Sequence, residues 1–199
     1  MFTIYWVITG SAAMAVGAIV LGIWLRQNPS KENAEKSSRV MHFLFFAGQI
    51  APPIVAFFYP GISRFDELVG LNPLPMRPIF LGIGILLAIP GFYFMAVTNK
   101  LLRAIGNGTN AFVLTKHVVN DDIYKRTRNP MSLGFYLLAI ALGLVTGSTF
   151  ATLAAVLCII PSHLIFIKYF EEKELELRFG ESYLEYKKTV PFLIPKFGS

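Results

Sequence analysis

Two charge-bearing segments bracket a long apolar stretch in the second half of the chain. The first is Arg128-Asn129-Pro130-Met131-Ser132-Leu133-Gly134, and the second is the acidic run Glu171-Glu172-Lys173-Glu174 that follows Lys168. Every residue from Met131 to Ile167 is uncharged, with one turn-like interruption at Thr146-Gly147-Ser148-Thr149. A chain that folds back at Gly147 returns both charged segments to the same end of a hydrophobic hairpin. They would then wall a polar pocket beside lipid, with an apolar mouth between helices. Such a pocket suits a polar, soluble cofactor meeting a substrate with a lipid tail.

The bulk composition fits a membrane setting for that hairpin. Of 199 residues, 54% are hydrophobic and 15% charged, against roughly 25% charged in soluble domains. The net charge is +6. Lysines and arginines beside spans that face an anionic leaflet account for it better than a nucleic-acid partner does. Cys158, the one cysteine, excludes a disulfide within the chain. His42, His117, His163 and Cys158 lack metal-ligand spacing, so no metal is expected.

Five apolar runs are expected to cross the bilayer: 2–25, 40–59, 79–98, 130–146 and 149–167. Each is near the ~20 helical residues needed, the last two being the shortest. No Lys or Arg precedes Arg26, so the first run is read as a retained span, not a signal peptide. Arg26 to Arg39 reads as a polar loop broken by Asn28-Pro29-Ser30, and Pro52-Pro53 and Pro90 should kink their spans. Residues 60–78 read as a connection lying along the membrane surface. No span holds an Asp, Glu, Lys or Arg, which speaks against a pump or proton relay. Alternate loops carry sixteen and two basic residues, which places the N-terminus outside and the loop 99–129 and tail 168–199 in the cytoplasm. The expectation is one all-α, polytopic membrane domain over 1–199 with a cytoplasmic helical tail. In that tail Gly180 should end one helix as a C-cap and Pro191 a second.

The ordered set Arg128-x-Pro130-x-x-x-Gly134, an apolar hairpin, Glu171-Glu172-x-x-Leu175-x-x-x-Phe179-Gly180-x-x-Tyr183-x-x-Tyr186-x-x-x-Val190-Pro191 resembles the isoprenylcysteine carboxyl methyltransferase family. Those are integral membrane methyltransferases related to phospholipid methyltransferases. The likeness covers roughly Lys116 to Pro195. It implies S-adenosylmethionine as methyl donor, with Lys116, His117, Val118, Val119, Tyr124, Asn129, Pro130, Met131, Ser132 and Glu171 as cofactor contacts. Main-chain groups near Val118 and Val119 would read the adenine edge, and Tyr124 or Met131 would pack on its face. Glu171 would take the methionyl ammonium or a ribose hydroxyl, and Arg128 the methionyl carboxylate.

Arg128, Glu171 and Glu172 are the candidate catalytic residues, and the implied acceptor is the carboxylate of an isoprenylated cysteine or similar lipophile entering from the bilayer. A lipid amine is the alternative acceptor; it would need a base such as Glu171, Glu172 or His117. A non-enzymatic membrane scaffold or carrier is the remaining alternative. Many members carry Arg-His-Pro-x-Tyr-x-Gly, where this chain has Asn129 and Ser132. Eukaryotic members place an arginine where this chain has Ile167, with Lys168 beside it.

Overall fold

In a computed structural model, which describes residues 1–59, 61–104, 115–116 and 118–196, the chain is all-helical. No strand occurs among the described residues. The helices are α1 (Phe2–Gln27), α2 (Lys31–Phe58), the short α3 (Phe65–Val69), α4 (Arg77–Ala104), α5 (Pro130–Thr146), α6 (Thr149–Phe179) and α7 (Glu181–Thr189). Four of these, α1, α2, α4 and α6, are long and apolar enough to cross a membrane, whereas α5 is apolar but has 17 residues. Five spans were expected. At 1.5 Å per residue α5 is roughly 26 Å long, a little short of a ~30 Å hydrocarbon core.

α2 begins earlier than its composition indicates. Asn28-Pro29-Ser30 does break the chain, but Ser30 then caps a new helix by accepting the Asn33 amide at 3.1 Å. Ala34, Ser37, Ser38 and Met41 form its buried side, so the charged residues before Val40 lie on helix and not in a loop. The prolines are absorbed without ending their helices. A π turn at Phe46–Ile50 precedes Pro52, another at Ala155–Ile159 precedes Pro161, and α4 runs unbroken through Pro90. Widening a turn by one residue changes the carbonyl register ahead of a residue that has no N–H to offer. A third π turn, Phe166–Glu171, sits where α6 passes from apolar to charged sequence.

α4 lies along α5, and α1 packs against α2 and α6. Gly134 of the Arg-Pro-Gly motif is explained by the first of these contacts. A Cβ there would stand 2.9 Å from Gly91 O and 2.9 Å from Phe94 Cβ of α4. A second packing centre joins Met14 and Leu25 of α1, Met41 of α2, and Ile167 and Phe170 of α6. Arg26 ties α1 to α6 by donating to Tyr169 O at 2.8 Å.

At the opposite end of the bundle, α3 does more than lie along a surface. Phe65 is buried, and Asp66 accepts from Thr149 N at 3.0 Å, Phe150 N at 2.6 Å and Ser148 Oγ at 3.3 Å. These bonds satisfy donors that the start of α6 would otherwise leave unpaired. They also fix the α5–α6 turn, at the end of the hairpin opposite Arg128 and the acidic run.

Candidate functional site

Arg128 and Glu171 reach one region because three polypeptide segments converge there. The chain leading into α5 is clamped by the tail beyond α7. Arg128 N donates to Pro191 O at 2.9 Å, Thr127 Oγ1 to Leu193 O at 2.9 Å, Asn129 Nδ2 to Phe192 O at 2.8 Å, and Lys196 N to Arg126 O at 3.0 Å. Tyr186 OH donates to Tyr124 O at 2.8 Å. Tyr183, Tyr186 and Val190 are buried together, with Val118, Leu175 and Phe179 against them. The tail's Phe-Gly, two tyrosines and Val-Pro are thus the parts that fold it onto the loop ahead of α5. Gly180 makes the turn at φ 57° and ψ −132°, a region essentially open to glycine alone.

Glu172 is the electrostatic centre of this region. Its carboxylate lies 3.2 Å from Arg128 Nη1, 3.4 Å from Lys168 Nζ and 2.9 Å from Lys187 Nζ. Burial alone would raise its pKa, but Lys187, Arg128 and Lys168 outweigh it and hold the carboxyl below its usual range. Lys187 also reaches Glu176 at 3.0 Å, and Lys168 lies over the Phe192 ring at 3.7 Å. On the far side of α6, Arg178 pairs with Glu174 at 2.7 Å and donates to Thr115 O.

Around Glu172, Arg128 and Glu171 keep hydrogen-bonding capacity unused among the described residues, as does Arg178 at Nε. Arg128 is buried, yet its Nε and Nη1 make no hydrogen bond, the Nη1 contact with Glu172 being an ion pair off the hydrogen-bond line. Glu171, next to Arg128's partner and beyond the uncharged part of α6, has no ion pair or hydrogen bond of its own. Burial, then Glu174 and Glu172, pushes its carboxyl up to about 8, with Arg178 pulling it back. Burial, then Tyr186 and Glu171, raises the Tyr124 phenol above its usual range. Arg128 Nε and the Glu171 carboxyl thus keep hydrogen-bonding capacity that the described residues leave unused, while Arg128 Nη1 stays beside Glu172.

The expected contacts fall into place unequally. Tyr124 is partly buried in a 3₁₀ turn, Asp122–Lys125, and within electrostatic reach of Glu171. Pro130 is the buried first residue of α5, Met131 and Ser132 follow partly buried, and Asn129 is tethered to the tail. Val119 is buried and Val118 packs on the tail tyrosines, while Lys116 is exposed. His117 lies outside the described residues. Sequence reasoning missed Lys187 and Phe192. The Lys168–Glu172 pair has the four-residue spacing of helical neighbours, whereas Lys187 meets Glu172 only after the turn at Gly180. Ile167, at the position where the resemblance expects an arginine, is 1% exposed in the packing centre, and its neighbour Lys168 is the half-exposed cation there.

A family model described as phospholipid methyltransferase matches residues 79–182, from α4 into α7. The chain belongs to that family. Membership implies methyltransferase activity in a membrane, and the matched residues include the Arg128 and Glu171 segments described above. No curated protein and no solved structure matches the chain.

Proposed function

We propose that this membrane methyltransferase takes its methyl group from S-adenosylmethionine, held at the convergence of the α5 lead-in, the end of α6 and the tail. The observation that carries the reading is the hydrogen-bonding capacity that Arg128 and Glu171 leave unused. A buried guanidinium edge on Arg128 fits the methionyl carboxylate, and the free carboxylate of Glu171 fits the methionyl ammonium or a ribose hydroxyl. Tyr124 and Met131 stand where a ring could be packed, and Lys116, Val118, Val119, Asn129, Pro130 and Ser132 form the rest of the proposed cradle. The donor supplies a methyl carbon on a positively charged sulfur, which leaves as a neutral thioether.

The acceptor is read as a lipid-borne carboxylate, that of an isoprenylated cysteine or a similar lipophile. Lys168, half exposed beside Arg128's partner, offers a cation to such a group. A carboxylate has a pKa near 4 and attacks the methyl carbon without a base. The protein's part is then to align acceptor, methyl and sulfur and to keep water away. A second reading, an amine headgroup of a phospholipid, is favoured by the raised pKa of Glu171 and by the family's description. An amine must lose a proton, and a carboxyl titrating near neutrality can take it.

Five spans, with α5 as the shortest, put the N-terminus outside and the cofactor cradle in the cytoplasm. Single cysteines at positions 116 and 181, in a Cys158→Ser background, should be labelled from the same side of a sealed vesicle; labelling from opposite sides would break the cradle. The function itself is tested with methyl-labelled donor and purified protein in vesicles. Label in a prenylcysteine methyl ester supports the carboxylate reading, and label only in a methylated ethanolamine lipid replaces it with the amine reading. Label in neither, with no donor bound, overturns both.

A further inference from the structure

Away from this cradle, the bundle encloses a cavity of about 410 Å³ between α1, α2, α5 and α6, with Ile62 and Phe65 closing one side. That volume lies within the roughly 300–1,000 Å³ of small-molecule sites. Its walls are apolar with one exception among the described residues, Gln49 of α2. Ile54, Phe57 and Phe58, which also line it, are among the exposed large hydrophobic residues, so the cavity opens toward the bilayer along α2.

Gln49 is 1% exposed, and its Oε1 has no hydrogen-bond partner among the described residues. The orientation of the amide is fixed by its neighbours. Nε2 donates to Ser162 Oγ at 2.5 Å and to Ile159 O at 3.3 Å. A backbone carbonyl cannot face an amide oxygen, and Ser162 spends its own proton on Cys158 O or Ile159 O, at 2.6 and 2.9 Å. The unpaired atom is therefore an acceptor. A buried amide oxygen left without a donor is costly in an apolar setting, so a ligand that brings one donor is strongly preferred over one that brings none.

The cavity is separate from the methyl-transfer cradle. Phe45, Phe135, His163 and Phe166 pack ring against ring across the gap, with centroids 5.0 Å apart for Phe45–His163, 5.5 Å for Phe135–His163 and 5.4 Å for His163–Phe166. Ile159, on the cavity wall, and Glu171 are twelve residues apart on α6, roughly 18 Å at helical rise. We infer that this cavity is a second lipid site, which takes a neutral, largely hydrocarbon molecule with one hydroxyl that donates to Gln49 Oε1. The inference does not depend on the proposed donor or acceptor of the methyl group.

The test uses full-length protein in phosphatidylcholine nanodiscs and two photoreactive probes, a diazirine-bearing hexadecanol and its methyl ether. The alcohol should crosslink to peptides containing residues 49–58 or 135–159. It should do so at a concentration at least about fivefold below the ether, the difference expected for one unmet buried acceptor. Gln49→Leu should erase the preference for alcohol over ether while crosslinking persists, and Ala139→Phe, which fills the cavity, should reduce both. Helical circular dichroism and a single gel-filtration peak confirm that each variant folds; should Gln49→Leu not fold, Gln49→Met serves. Equal labelling by alcohol and ether in the wild type, or labelling confined to other peptides, would overturn the assignment.

Discussion

Replacing Glu171 and Glu172 separately by glutamine distinguishes a carboxylate that holds the fold from one left free for a ligand. Glu172 and Arg128 are both nearly buried, with 9% and 8% of their side chains exposed. Removing one member of such a pair leaves a buried charge uncompensated, at a cost of about 3–5 kcal/mol. Lys168 and Lys187 are 46% and 32% exposed; solvent takes over their share, so they add little. Because the glutamine oxygen still accepts a hydrogen bond, the low end of the range applies, about 3 kcal/mol. For a chain of this size that lowers Tm by roughly 6–12 °C. Glu171 has no ion pair or hydrogen bond to lose among the described residues, and Glu171→Gln should leave Tm within about 2 °C near pH 5.

The pH dependence of the two variants runs in opposite senses. Glu172 titrates below its usual value in the fold, so its stabilisation is present above the unfolded pKa and lost as pH falls through the folded one. Glu171 is raised to about 8 from 4.5, so the folded state binds the proton more tightly and loses stability as pH climbs from 4.5 to 8. Glu171→Gln should therefore gain on the wild type over that window. Thermal unfolding in detergent, followed by circular dichroism from pH 5 to pH 8.5, reads both. Equal losses for the two variants, or a Glu172→Gln protein as stable as the wild type, would refute this division of roles.

Other substitutions test single links. Gly134→Val forces a branched side chain against Gly91 O and should cost about 1–3 kcal/mol, seen as a lower Tm. Asp66→Ala removes the acceptor at the start of α6 and should cost about 1–2 kcal/mol, with the same readout. Gly180→Val places a branched residue at φ 57° and should loosen the tail from the loop ahead of α5, which limited proteolysis would report as faster cleavage near residues 180–196. Tyr124→Ala should weaken cofactor binding while Tm changes little, because the bond at this position runs from Tyr186 OH to the Tyr124 backbone carbonyl.

The long apolar runs and their turn at Gly147 were legible because a membrane helix must satisfy its backbone within itself, so hydropathy alone marks it. The return of Arg128 and the acidic run to one end followed from that hairpin. The start of α2 was hidden, since Lys31 to Arg39 has loop-like charge, and only the Ser30 cap and the buried Ala34, Ser37 and Ser38 show it as helix. The π turns left no mark beyond the prolines after two of them. Within the site, the tail motif could be read as a pattern but not as a clamp, because the bonds from Thr127, Arg128 and Asn129 to Pro191, Phe192 and Leu193 are backbone-directed. Glu171 and Glu172 look alike in sequence; that Arg128 and Lys187 meet Glu172 depends on the tail folding back, which the sequence does not show.

The central claim is that Glu171 and Arg128 hold the amino-acid end of the methyl donor. Isothermal titration of the purified protein with S-adenosylhomocysteine tests it directly. Binding should be measurable in the wild type and at least about tenfold weaker in Glu171→Gln, the loss of one charge-assisted hydrogen bond. Affinity unchanged in a folded Glu171→Gln protein, or no binding by the wild type, would contradict it.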